Sequence, residues 1–308
     1  MIYTVTLSPS LDYCMTFPHV TAGQVNRAQS AQIYPGGKGV NVSILLARLG
    51  TPTQAFGFCA GFTGAELCRR LDALGCRTDF VEIPGETRIN VKLFSNVTTD
   101  LNAAGPQIPK EALSALLGKL TALKEGDTLV LAGAIPAGVP QDFYARALRV
   151  VAPKGVRTVV DTSGQALKRV LSSRPFLIKP NLDELGALLG HPLKGTKEAV
   201  RGAQAVQQAG ARNVLVSLGK VGALLLDEEG RALLGHAPQG KAVNPVGAGD
   251  SMVAGFLYSY LQNGDLPQAL RMGLLCGSAT TFQPWLASKE DILALQRRCP
   301  VEITGLSL

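Results

Sequence analysis

Apolar and polar positions along the chain fall into two alternating rhythms. Short, strand-like runs recur at Leu129-Val130-Leu131-Ala132, Arg157-Thr158-Val159-Val160, Phe176-Leu177-Ile178 and Val214-Leu215-Val216. Near-continuous apolar runs of this length suit strands buried on both faces. Between them lie stretches with apolar residues three and four apart, the spacing of a helix with one buried face. Helices are predicted from about 39 to 49, near Pro140, near Gly164, near Asn181 and from about Thr196 to Ala209. A first strand covers Ile2 to Leu7, and the last third reads as helices over 248–263, 265–282 and 288–297. Such strand–helix alternation predicts an α/β fold with a mostly parallel sheet covered by helices.

Two stretches break the alternation. Residues about 12–35 and 78–104 carry strand-like segments with no helix between them, among them Asp79-Phe80-Val81-Glu82-Ile83 and Arg88-Ile89-Asn90-Val91-Lys92-Leu93-Phe94. They read as antiparallel strands of a small separate sheet, suited to a lid. The alternative is a set of edge strands on the main sheet. The expected division is a main α/β body from 1–11, 36–77 and 105–308, with a discontinuous lid from 12–35 and 78–104.

Composition narrows the partners. The chain has 308 residues, 46% apolar and 17% charged, with a formal charge of +7. The basic residues are scattered, the densest runs being pairs such as Arg69-Arg70 and Arg297-Arg298. No basic helix interleaves with aromatics, so no nucleic-acid partner is expected. The excess charge reads either as a solvated surface or as a match to a small phosphorylated substrate. Six cysteines without a Cys-x-x-Cys pair, and only three histidines, argue against a zinc site and suggest a reducing compartment. No signal-peptide pattern precedes the first strand, and no apolar run reaches bilayer length; a cytoplasmic protein without membrane attachment is expected.

Four segments carry candidate chemistry. Gly247-Ala248-Gly249-Asp250 opens a predicted helix. Its amides and helix dipole can hold charge on a transferring phosphoryl group, and Asp250 can accept a proton from an attacking hydroxyl. An acid placed merely to suit the dipole is the plainer reading. Pro35-Gly36-Gly37-Lys38-Gly39-Val40-Asn41 also leads into a helix and suits an anionic or polyhydroxyl ligand, or an ordinary glycine turn. Lys179-Pro180-Asn181-Leu182-Asp183-Glu184 follows a buried strand. Asn181 and Glu184 share a helix face and can hold magnesium through water, or simply cap the helix. Ser217-Leu218-Gly219-Lys220-Val221-Gly222 forms a tight turn that can admit a nucleotide or close a hairpin. No phosphate-binding P-loop is present; Gly235 to Gly240-Lys241-Ala242 lacks the hydroxyl and the following helix.

With these four segments in this order, the chain resembles the ribokinase-like PfkB family of carbohydrate kinases from Leu7 to about Gln283. Gly36-Gly37-Lys38-Gly39-Val40-Asn41 resembles the family's N-terminal signature and Val246-Gly247-Ala248-Gly249-Asp250 its C-terminal one. Ser8 stands where the family often has asparagine, and Pro245 where Ser or Thr is common. Thr6-Leu7-Ser8-Pro9-Ser10-Leu11-Asp12, Val25-Asn26-Arg27 and Gly85 to Lys92 resemble the branch acting on fructose 1-phosphate. So do Thr99-Asp100-Leu101-Asn102, Asp142 to Ala145 and Val160 to Gly164.

The resemblance implies a three-layer sandwich with a β-sheet lid, and transfer of the γ-phosphoryl group of ATP to O6 of fructose 1-phosphate. Branches acting on tagatose 6-phosphate or fructose 6-phosphate are alternatives, as is a non-catalytic sugar-phosphate sensor. It further implies roles. Asp250 is the base, and Gly247, Ala248 and Gly249 form the anion hole. Asp12, Gly37 and Asn41 hold the sugar; Lys38, Arg88 and Asn90 bind its phosphate. Lys179, Ser217, Gly219, Gly222 and Asn244 line the nucleotide site, and Asn181 and Glu184 organise Mg2+. Lid-to-lid dimers occur in relatives, so a homodimer is expected.

Overall fold

The computed structural model describes residues 1–306. From the N-terminus, β1 (Ile2–Thr6) leads to β2 (Ser10–Thr16), β3 (Ser30–Gly36), α1 (Lys38–Arg48), β4 (Thr53–Cys59) and α2 (Gly61–Ala73). Two short strands, β5 (Arg77–Thr78) and β6 (Val81–Glu82), precede β7 (Arg88–Phe94) and β8 (Thr99–Asn102). Strands and helices then alternate through α3 (Lys110–Leu120), β9 (Thr128–Ala132), α4 (Phe143–Val151), β10 (Arg157–Asp161) and α5 (Gly164–Val170). Next come β11 (Leu177–Ile178), α6 (Leu182–Leu189), α7 (Gly195–Gln208), β12 (Asn213–Ser217), β13 (Gly222–Leu226) and β14 (Ala232–His236). Three helices, α8 (Ala248–Asn263), α9 (Leu266–Thr281) and α10 (Lys289–Arg298), precede β15 (Ile303–Leu306).

The main sheet runs β15-β14-β13-β12-β11-β10-β9-β1-β4-β5, with β6 extending the edge beside β4. From β5 to β12 neighbouring strands are parallel; β13, β14 and β15 add an antiparallel end. Successive strand residues feed opposite cores. Leu129 and Leu131 pack with Phe143, Leu167 and Leu185 on the α3–α7 side. Val130 and Ala132 pack with Val42, Val253 and Phe256 on the side of α1, α8 and α9. Helices therefore cover both faces, which is why the strands read as unbroken apolar runs.

The second sheet has the order β3-β2-β7-β8. Two expectations change here. β2 and β3 pair antiparallel, but β2 and β7 pair parallel. The chain between them passes through α1, β4 and α2, a crossover long enough for the parallel arrangement. The segment around Asp79 to Ile83 is not in the small sheet: β5 and β6 pair parallel with β4 at the edge of the main one. The turn after β12 closes an antiparallel pair with β13, as a hairpin reading of Ser217 to Gly222 requires.

No described helix is long and apolar enough to cross a membrane. All six cysteines are free.

Candidate active site

The carboxyl ends of the parallel strands and the root of the small sheet enclose a cavity of about 1030 Å³. One wall is the start of α8. Gly247 adopts a left-handed conformation (φ 80°) at its N-cap, and no side chain caps the helix. The Ala248 N–H donates to Pro245 O at 3.2 Å. Among the described residues, the amides of Gly247, Gly249 and Asp250 have no acceptor. Open amides at the positive end of a long helix attract an anion.

Asp250 sits in the first turn of α8 and is buried. Asn41, from the first turn of α1, donates its Nδ2 to Asp250 Oδ2 at 2.8 Å. Burial, and then the charge of Asp161, pushes the Asp250 carboxyl up to about 6, against the pull of Asn41, Lys38 and Lys179. A carboxylate tuned this way is ionised near neutral pH yet basic enough to take a proton from a hydroxyl.

Asp161 ends β10 and is 1% exposed. Lys38 donates to its Oδ1 at 2.9 Å, and Lys179 Nζ lies 3.4 Å from its Oδ2. Burial works to raise this carboxyl, but the two ammonium groups outweigh it and hold it below the usual range. Burial likewise works to lower Lys38; Asp161, Asp250 and Glu184 overcome it and raise it. Lys38 thus belongs to the acidic cluster around Asp250. A Cβ at Gly249 would lie 3.0 Å from Lys179 Nζ, so the glycine leaves room for that lysine beside the open amides.

At the small-sheet end, Asp12 on β2 and Asn90 on β7 face the same cavity, and Asn90 Nδ2 donates to Asp12 Oδ1 at 2.9 Å. Arg88 also lines it; one arm donates to Ser8 O at 3.0 Å, while its buried Nε has no partner. Asn181 and Glu184 form a capping box on α6: Asn181 Oδ1 accepts from the Glu184 N–H, and Glu184 Oε2 accepts from the Asn181 N–H. Both still border the cavity, as do Gly37 and Ser217.

Four predicted residues do not line it. Ala248, Gly219, Gly222 and Asn244 lie outside the lining. A Cβ at Gly222 would collide with the Gly235 carbonyl, so this glycine serves the close pairing of β13 and β14. Asn244 is buried: it donates to Pro284 O at 2.9 Å and accepts from the Val246 N–H at 3.0 Å, pinning the loop before α8.

Asp161, Ser10 and two loops build the site beyond the residues to which the sequence pattern assigns a role. The loops are Ala103 to Ile108 and Gly133 to Gly138, both at the cavity wall. The signal for Asp161 was a lone acid closing an apolar strand; for Gly133, a glycine directly after one. Tyr144 donates its hydroxyl to Ala132 O or Gly133 O and anchors that second loop from the core.

The profile of the "pfkB family carbohydrate kinase" matches residues 5–291. The chain belongs to the PfkB family of carbohydrate kinases. It is 42% identical to a 1-phosphofructokinase of Bacillus subtilis, covering 96% of this chain and 97% of that one. It is 36% identical to a D-tagatose-1-phosphate kinase of Bacillus licheniformis, covering 99% and 100%. Phosphofructokinase-2 of Escherichia coli, solved with substrates and products, superposes with a TM-score of 0.92 at 30% identity, covering 97% and 99%. As a PfkB kinase this chain is a phosphotransferase that draws on ATP.

Proposed function

We propose that this PfkB kinase transfers the γ-phosphoryl group of ATP to O6 of fructose 1-phosphate, giving ADP and fructose 1,6-bisphosphate. The observation that carries the chemistry is the buried Asp250 carboxylate beside open α8 amides, in one cavity with Arg88. Asp250 takes the proton from the O6 hydroxyl, O6 bonds to the γ-phosphorus, and the bond to the β-phosphate oxygen breaks. The Gly247, Gly249 and Asp250 amides hold the charge on the transferring group. Asp12, Gly37 and Asn41 hold the sugar hydroxyls. Arg88, with Asn90 nearby, clamps the 1-phosphate, to which its planar fork is suited. Lys38 and Lys179, steered by Asp161, neutralise the ATP phosphates, which moves Lys38 from the sugar's phosphate to the transferring one. Ser217 borders the nucleotide.

The donor set fits magnesium held through water. Among the described residues no group of three or more His, Cys, Asp or Glu could hold a bare ion. Glu184 uses only Oε2 in its capping bond, leaving Oε1 for a hydrated ion with Asn181 beside it. When bound, magnesium neutralises and orients the ATP phosphates.

The four-stranded sheet closes over the sugar as a lid and keeps water from the phosphoryl group. Its exposed Ile89 and Leu101 support a homodimer through the lid, and a solved form of the Escherichia coli relative is described as tetrameric. Two phosphorylated substrates, whose charge keeps them from crossing a membrane unaided, support a cytoplasmic location.

The relative named for D-tagatose 1-phosphate favours a second reading, in which that C4 epimer is the preferred sugar. The test is a coupled ADP-release assay with fructose 1-phosphate, D-tagatose 1-phosphate, fructose 6-phosphate and tagatose 6-phosphate. The highest kcat/KM on fructose 1-phosphate supports the proposal. Preference for a 6-phosphate sugar overturns the phosphate clamp, and no ADP release with any sugar overturns the kinase chemistry.

A further inference from the structure

Ser10 is 1% exposed yet borders the cavity. It lies two residues before Asp12 on β2, so both side chains share one face of the lid. Ser10 donates its hydroxyl to Asp12 Oδ1 at 2.8 Å. Asn90, directly opposite Asp12 in the β2–β7 pair, donates its Nδ2 to the same Asp12 oxygen at 2.9 Å and to Ser10 Oγ at 3.1 Å. Among the described residues, Asp12 Oδ2 accepts no hydrogen bond. Gly36 faces Ser10 across the β2–β3 pair. A Cβ there would lie 2.5 Å from Ser10 Oγ and 2.7 Å from Asp12 Oδ1, so the glycine makes room for the three-way contact.

We infer that Ser10 is a positioning residue that sets the selectivity of this kinase among sugars differing in one ring hydroxyl, acting through the Asp12 carboxylate. The inference rests on the ketohexose 1-phosphate reading. A carboxylate free to turn about its Cβ–Cγ bond presents either oxygen and adapts to hydroxyls in several directions. Two donors on Oδ1 stop that rotation and leave Oδ2 as one acceptor in one direction. C4 epimers differ in the direction of a single hydroxyl, which a fixed acceptor separates and a turning one does not.

The experiment measures kcat and KM of wild type and Ser10→Ala with fructose 1-phosphate and D-tagatose 1-phosphate, and KM for ATP. In Ser10→Ala the KM of the preferred sugar rises on the order of tenfold, the scale of one hydrogen bond to a charged group. The ratio of kcat/KM between the epimers moves toward one by about threefold or more, while kcat and the KM for ATP stay within about twofold. In an Asp12→Ala background, Ser10→Ala changes neither sugar's KM further, since the effect passes through Asp12. Ser10→Cys, of similar volume but a weak donor, reproduces the alanine result if the alanine protein melts too low to assay. An unchanged epimer ratio in Ser10→Ala, an equal rise in KM for ATP, or an undiminished effect without Asp12 overturns the inference. Wild type inert on both 1-phosphates but active on another sugar phosphate overturns the substrate reading instead. The Ser10 and Asp12 cycle is then read on that sugar and its C4 epimer, with the same outcomes deciding.

Discussion

Lys38, on the cavity wall, meets Asp161 at 2.9 Å, and this buried carboxylate takes, at 3.4 Å, a second lysine, Lys179, from just after β11. The pairing keeps two ammonium groups beside Asp250 without letting either bond it directly.

Asp161→Asn keeps the shape and removes the charge. Lys179 is almost fully buried, so losing its partner should cost about 3 kcal/mol in a melt. The catalytic consequence has a definite sign. The Asp161 charge raises the Asp250 carboxyl, and the lysines lower it. Without Asp161 the opposing charge disappears and the lysines act unshielded, so the Asp250 value falls. The acidic limb of kcat/KM should therefore move below its wild-type position. An unmoved limb in a folded Asp161→Asn protein would refute the coupling.

For wild type, kcat/KM should fall about tenfold per pH unit below about 6, where the Asp250 carboxyl takes up its proton. Asp250→Asn should lower kcat by about 10²–10⁴-fold while the KM for ATP changes little. Stability should move the other way. The folded value of Asp250 lies above the ordinary 3.8, so its contribution is full below that pH and is lost as pH rises through about 6. The permanently neutral Asp250→Asn should be more stable than wild type at pH 8, by about 3 kcal/mol. Equal melting at pH 8 would show that the carboxylate carries no such strain.

Much of this was readable from residue patterns because the decisive signals are local. β9 and β12 are buried on both faces, and their apolar runs announce it. Asp250 follows two glycines at a helix start, which marks an open helix end. Pairing partners are not local: nothing in Ser10–Thr16 records that β7 lies parallel beside it. β5 and β6 are two residues each, too short to be told from the lid strands that follow. Asp161 stayed hidden because its partner Lys38 is 123 residues away. Asn244 carries a nucleotide role only through the family resemblance, which does not register local bonding; here the side chain is spent on Pro284 and Val246.

Arg88 supplies a sharp test of the phosphate clamp. Arg88→Ala should lower kcat/KM for fructose 1-phosphate on the order of 10²-fold, the scale of a charged bidentate contact. Arg88→Lys should recover only part, since an ammonium cannot reproduce the fork. The weak activity expected on unphosphorylated fructose should hardly change. A parallel loss on both sugars would show that Arg88 supports the lid through Ser8 O and does not read the phosphate.

The chain has one tryptophan, and its position makes it a reporter of the lid. Trp285 stacks on Tyr34 of lid strand β3 with ring centroids 4.5 Å apart, and the Arg48 guanidinium lies 4.6 Å from its ring centre. Its neighbour Leu286 packs where a Cβ at Gly247 would fall, so the same loop touches the lid root and the start of α8. A closure of the small sheet that reaches its root moves Tyr34 against Trp285. Saturating fructose 1-phosphate should therefore change the intrinsic emission, and Tyr34→Ala should abolish most of that change. The lost stack should also raise the sugar KM severalfold, in keeping with a contact of about 1 kcal/mol. Emission that stays constant through saturation would mean that the lid root does not move, and that any closure is confined to the outer ends of β7 and β8.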